Sequence, residues 1–249
     1  MMYKIKVLLI ITLFISYQGI GQNRIQINIP SAESESEHTW RTIHDIKFFE
    51  ENHYQISLPK GELIEFLKSK AKSNNLTEKD YHNLKTYIQD SVYDKSDYQK
   101  GYNKIKNELG LINKMISEIT ESRWNWKFKE FDIYQINLTL YGPGGSYNSD
   151  EGSVLIYTTP NGGFKQYNNP VNTVIHEIIH IGIEESIVDE FQIPHTLKER
   201  IVDTFISLNF LNYLPDYRIQ DMGDERIDPY LKNKDDLKNL DKFVKQIMK

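Results

Sequence analysis

His176 and His180 stand four residues apart, with Glu177 directly after the first, in the stretch NNPVNTVIHEIIHIGIEE that covers residues 168–185. If residues 170–181 are helical, the two imidazoles project from one face about 6 Å apart along the axis, close enough for two ring nitrogens to converge on one ion. Glu177 then lies one residue round the helix, poorly placed to become a third inner ligand but able to reach a water on the metal. That is the arrangement of a metal hydrolase: a zinc ion makes water acidic near neutral pH, and an adjacent carboxylate takes the proton during attack on a polarised carbonyl.

Two histidines leave a catalytic zinc one protein ligand short. A histidine six residues past His180 would serve, but that position is Ser186, and Ile183 stands where a glycine would accompany it. Glu184 and Glu185 follow Gly182, which is expected to end the helix, so they would have to fold back; Asp189 and Glu190 could approach from a loop. Glu199 is better placed. It lies in HTLKERIVD on the next helix, with Asp203 four residues later on the same face, so that one carboxylate can bind zinc while the other accepts the free ring N–H of a ligand histidine. The competing reading of Glu199 is a capping box with Thr196, with no metal involved.

The pair HEIIH and ERIVD, with 18 residues between His180 and Glu199, resembles the thermolysin-type zinc metallopeptidases, the gluzincins. The resemblance covers roughly residues 130–215. It implies His176, His180 and Glu199 as zinc ligands, Glu177 as general base and Asp203 as the outer partner of His176. The asparagine that often precedes the third ligand in that group is Lys198 here. The resemblance also implies a sheet edge beside the zinc cleft that pairs with an extended substrate, for which SVLIYTT (153–159) is the expected strand. A tetrahedral intermediate needs an oxyanion donor, and His195, Tyr157, Tyr213 and Tyr217 are the candidates.

The elements that must position these residues follow from periodicity. In DIYQINLTLYG, Tyr134, Ile136, Leu138 and Leu140 alternate with polar residues as in a strand. GPGGSYNSDEG reads as a loop, SVLIYTT as a second strand, and Asn169-Pro170 as the cap and first turn of the motif helix. Another helix opens near Thr196, and a charged terminal helix carries Leu237, Leu240, Phe243, Val244 and Ile247. Upstream, Ile25, Ile27 and Ile29 alternate as in a short strand, and SAESESE (31–37) reads as a flexible link. Helices are expected over 61–73, from Thr77, and as one long element over 96–122. The expected fold class is α+β: a small mixed or antiparallel sheet beside a two-helix zinc site, with a mainly helical part (22–130) before the catalytic region (131–249).

Residues 1–21 read as an export signal, with Lys4 and Lys6 before the apolar run Val7–Ile15 and small residues at Gly19 and Gly21. That run is too short for a bilayer that needs about 20 helical residues. Removing residues 1–21 takes away two lysines and no acid, moving the formal net charge from −5 to −7 and disfavouring nucleic acid and stable membrane association as partners. The chain has no cysteine, so any transition metal must be held by histidine and carboxylate. Export without disulfides suits a bacterial periplasm or exterior. The leading expectation is an exported zinc metallopeptidase acting on peptide or protein. Its rivals are a zinc-containing binding or scaffold protein without turnover, and an exported interaction protein with fortuitous histidines.

Overall fold

The computed structural model describes residues 23–165, 169–221 and 223–249; the expected export signal lies outside the described residues. The fold is α+β, with one small sheet and a majority of helix. Strand β1 (Ile25–Asn28) pairs in parallel with β2 (Tyr134–Thr139), β2 in parallel with β4 (Ser153–Tyr157), and β3 (Gly145–Asn148) runs antiparallel on β4. The order across the sheet is β1-β2-β4-β3, so β3 is an edge. The register sets Ile27 beside Ile136 and Ile136 beside Val154, which places Ile136, Leu138, Val154 and Ile156 on one fully buried face. This is the alternation that the sequence of β2 carries.

Between β1 and β2 lie helices α1 (Ala32–His44), α2 (Ile46–Glu51), α3 (Glu62–Lys72), α4 (Glu78–Tyr87), α5 (Gln99–Asn107) and α6 (Leu109–Glu121). After the sheet come α7 (Pro170–Ile183), α8 (His195–Phe210), α9 (Lys234–Leu237) and α10 (Leu240–Ile247). One core gathers the sheet with α5–α10; a second, smaller one joins Ile43, Ile46, Ile64, Leu67, Leu84 and Ile88 from α1 to α4 and the turn after it.

Four expectations are corrected. The acidic stretch 31–37 is a helix start: Ser31 Oγ accepts the Ser34 N–H, Glu33 and Glu35 complement the positive end of α1, and the Ser36 and Thr39 hydroxyls bond back to carbonyls four residues earlier. Helix 96–122 is interrupted: Lys95–Tyr98 is a 3₁₀ turn, and at Glu108 (ψ 1°) the backbone leaves helical geometry and its N–H bonds to Ile105, three residues back. Residues 145–148, expected in a loop, form β3. Finally, Gly182 does not end the motif helix, which continues into a π turn at Glu184–Asp189. Gly182 is there for contact, because a Cβ at that position would lie 1.9 Å from the Phe128 ring. Its carbonyl accepts the Lys129 N–H at 2.9 Å.

Glu35 is completely buried where α1 meets the end of β2. Its carboxyl accepts from Tyr98 Oη at 2.7 Å, from the Leu140 N–H at 2.8 Å and from Thr139 Oγ1 at 2.9 Å. Burial pushes its pKa above the usual carboxylate range, against the pull of these three donors. Glu35→Ala strands buried donors on two elements and is expected to destabilise the fold by about 2–4 kcal/mol, whereas Glu35→Gln, which can both accept and donate, should cost under about 1.5 kcal/mol. Equilibrium denaturation of the two variants checks the difference, and equal losses would assign the effect to packing.

Candidate metal centre

Helix α7 begins where Asn169 Oδ1 accepts the Val171 N–H at 2.9 Å, with Pro170 in the first turn. Nearly every residue after that is buried, so α7 is a core helix. Helix α8 starts at His195 directly after Pro194, and no side chain caps it. The Thr196–Glu199 capping box is therefore not formed. Leu197, Ile201, Val202 and Phe205 bury one side of α8, which turns Glu199 and Asp203 toward α7.

The three expected ligands meet. His176 Nε2 lies 3.0 Å from His180 Nε2 and 3.3 Å from Glu199 Oε2, and His180 Nε2 lies 3.4 Å from Glu199 Oε1. A tetrahedral ion bonded at about 2.0–2.1 Å holds its donors about 3.3–3.4 Å apart, so these separations suit a small divalent cation. Two imidazoles and a carboxylate without thiolate form a borderline donor set that fits zinc. Among the described residues this is the one group of histidines and carboxylates close enough to hold a metal ion. Glu184 and Glu185 are engaged elsewhere, Glu184 with Tyr147 and Glu185 with Lys127.

Behind His176, the Tyr217 hydroxyl donates to Asp203 Oδ1 at 2.6 Å and lies 2.7 Å from His176 Nδ1. With its one proton given to Asp203, the hydroxyl oxygen accepts from His176 Nδ1–H, so the proton on Nε2 is the one that must leave before a lone pair can face the centre. Asp203 itself lies 3.5 Å from the same Nδ1, so its link to His176 runs mainly through Tyr217. Gln220 completes the shell. Its N–H donates to Asp203 Oδ2 at 2.7 Å and its amide to Glu199 Oε2 at 3.1 Å. His180 stacks flat on Tyr147, with ring centroids 4.9 Å apart and planes 5° from parallel.

Burial acts on all four titratable groups, and their neighbours decide the outcome. For His176 burial favours the neutral ring, but the nearby Asp203 and Glu199 carboxylates outweigh it and raise the pKa to about 10. His180 is pushed down to about 4, chiefly by burial, with His176 adding to the effect. Burial opposes ionisation of Glu199, yet the two imidazoles hold it far below the usual carboxylate range. Glu177 is raised to about 7 by burial, reinforced by the charge of Glu199 and opposed by His176 and Lys198. Its side chain is wedged between α7 and β3, where a Cβ on Gly145 would lie 2.3 Å from Glu177 Oε1. Gly145→Ala should therefore displace Glu177 while sparing the ligand triangle, and a crystal structure of the variant checks this.

The centre opens into a cleft of about 620 Å³ whose walls come from β3 and α8 on one side and from α1, α2 and Tyr54 on the other. Of the expected oxyanion donors, His195 lines this cleft, with Nδ1 3.4 Å from Glu199 Oε1 and Nε2 3.4 Å from Tyr54 Oη. Tyr217 lies behind His176. Tyr213 donates to Glu118 at 2.6 Å, and Tyr157 sits under the Lys165 ammonium 4.7 Å from its ring; neither lines the cleft. The sheet edge beside the centre is β3, since β4 is paired on both sides, by β2 and β3. Sequence reasoning missed four groups around the centre: Gln220, Tyr54, Tyr147 and the ammonium of Lys198, which donates to Tyr147 Oη at 2.8 Å while Tyr147 donates to Glu184 at 2.6 Å. Lys198 was expected only as a departure from the gluzincin pattern; Tyr54 and Tyr147 reach the cleft through tertiary contacts that no local spacing announces. No helix among the described residues is long and apolar enough to cross a membrane.

No family model matches the sequence, and no curated protein or solved structure matches it either.

Proposed function

We propose that the chain is a zinc-dependent metallopeptidase of gluzincin type, acting outside the cytoplasm as the residues at 4–21 suggest. The observation that carries this reading is the His176–His180–Glu199 triangle with a buried glutamate, Glu177, opening into the same cleft. His176, His180 and Glu199 would hold zinc. Zinc supplies a Lewis acid and brings the ionisation of water near neutral pH. Glu177, lifted toward neutrality by burial, takes the proton from the attacking water and hands it to the leaving amine. The free edge of β3 offers main-chain groups to an extended peptide. His195, bonded to Tyr54 and the one expected donor that lines the cleft, would serve a developing oxyanion.

The test is metal content and turnover on one preparation. Protein purified without added metal is expected to carry about one zinc per chain and to cleave an unfolded protein substrate, with activity lost on chelation and restored by zinc. Zinc bound without cleavage of any member of a broad peptide library would leave a metal-stabilised scaffold as the correct reading.

A further inference from the structure

Phe48, Phe49 and Tyr54 form an aromatic corner that neither hydrophobic core includes. Phe48 and Tyr54 stack at 6.1 Å and 26°, and each meets Phe49 edge-on, at 5.7 and 5.8 Å. Phe48 is 52% exposed. Ile46 is the one residue of helix α2 that is fully buried in a core, and Phe48 and Phe49 lie outside both cores. Three aromatic rings at a cleft wall, outside both cores and led by the exposed Phe48, are surface that a ligand can cover.

The corner is also fixed in place. His53 turns the chain with φ 59°, and the Tyr54 N–H closes back on the Phe49 carbonyl at 2.8 Å. Just beyond, Ser57 and Gly142 exchange two backbone hydrogen bonds of 3.0 and 2.9 Å, while Lys165 Nζ ties together the carbonyls of Gln55 and Gly142. Gly142 lies three residues before β3, so the corner is joined to the lead-in of the free sheet edge. Tyr54 Oη also reaches His195, one turn before Glu199 on α8.

We infer that this corner is a specificity subsite that takes a bulky aromatic or large aliphatic side chain of a peptide lying along β3, and that residues 46–54 therefore choose the substrate. The inference rests on the peptidase reading for its setting, but the contact it names is a binding contact and can be measured without turnover. The slot between β3 and the corner suits stacking and edge contacts with a ring, and a small side chain leaves Phe48 wet.

The experiment compares peptides that differ only by phenylalanine or alanine at single positions flanking the cleaved bond. The zinc-loaded enzyme is expected to prefer the phenylalanine peptide at one position by about 10- to 100-fold in kcat/KM, the range for burying one large apolar side chain. That ratio should collapse toward unity in Phe48→Ala/Phe49→Ala and be partly kept in Phe48→Leu, with zinc content and circular dichroism reporting that each variant is folded. In parallel, equilibrium binding of the same intact peptides to zinc-loaded Glu177→Gln protein should show the same preference and the same dependence on Phe48 and Phe49. Cleavage without aromatic preference, or a preference that survives the double substitution, overturns the subsite and leaves the peptidase standing. Aromatic-selective binding lost in the double variant, with no cleavage by the wild-type protein, sustains the subsite and removes the peptidase. Absence of selective binding in both arms overturns the inference.

Discussion

In the Glu177→Gln variant zinc is expected to stay bound while peptide hydrolysis falls by about 10²- to 10⁴-fold, the usual contribution of a positioned general base. The substitution is a close test because glutamine has the same shape and fits the gap that Gly145 leaves, so the ligand triangle on either side has no reason to move. What is lost is the capacity to carry a proton. The same assignment fixes a pH dependence. Glu177 titrates near 7 in the metal-free protein, and the base is competent only when ionised, so activity falls as pH drops through its pKa, by about tenfold per unit well below it. A divalent cation nearby favours the ionised carboxylate and shifts that acid limb below 7. Zinc content and kcat measured on one preparation check the prediction. Undiminished cleavage in the glutamine variant would take Glu177 out of the reaction.

The parts of the centre legible in the sequence are those fixed by spacing along a single helix. His176 and His180 share a face of α7 because four residues make about one turn, and Glu199 and Asp203 share a face of α8 for the same reason. Asn169-Pro170 announced the start of α7 through local chemistry alone. The parts that were not legible depend on where distant segments land. Tyr217, an oxyanion candidate by residue type, lies beyond the end of α8 and packs behind His176, a placement set by the turn after that helix. Strand β3 was hidden because Gly145, Ser146, Tyr147 and Asn148 have neither the alternation nor the β-branched residues of a strand, and its order comes from pairing with β4 and contact with α7. The stretch 31–37 misled for the opposite reason. Serine and glutamate suit an exposed linker, yet the same residues cap and charge a helix start, and only Glu35's burial against Tyr98 and Thr139 decides between the two.

Zinc binding at pH 7 is expected to expel about one proton, mostly from His176. In the metal-free protein His176 carries a pKa near 10 and is therefore cationic at neutral pH, held between Glu199 on one nitrogen and the Tyr217–Asp203 pair on the other. His180, pushed down to about 4, is already neutral and costs nothing to recruit. A zinc ion must replace the Nε2 proton of His176, so apparent affinity should rise by about tenfold per pH unit between roughly 7.5 and 9.5. Isothermal titration in buffers of different ionisation enthalpy counts the proton directly. A histidine whose folded pKa is raised from 6.5 to about 10 contributes stability that is complete below 6.5 and is lost as pH rises through 10. Over that window the metal-free fold loses the His176 contribution while zinc binding strengthens, so the fall in melting temperature on chelation should be larger at pH 8.5 than at pH 6.5. Glu199→Ala removes both a ligand and one partner of the His176 proton. It should weaken zinc binding by more than about 100-fold, beyond the usual effect of losing an outer partner. Tight zinc binding in that variant, or binding with no proton release in the wild-type protein, would mean that the ion sits on a different set of atoms.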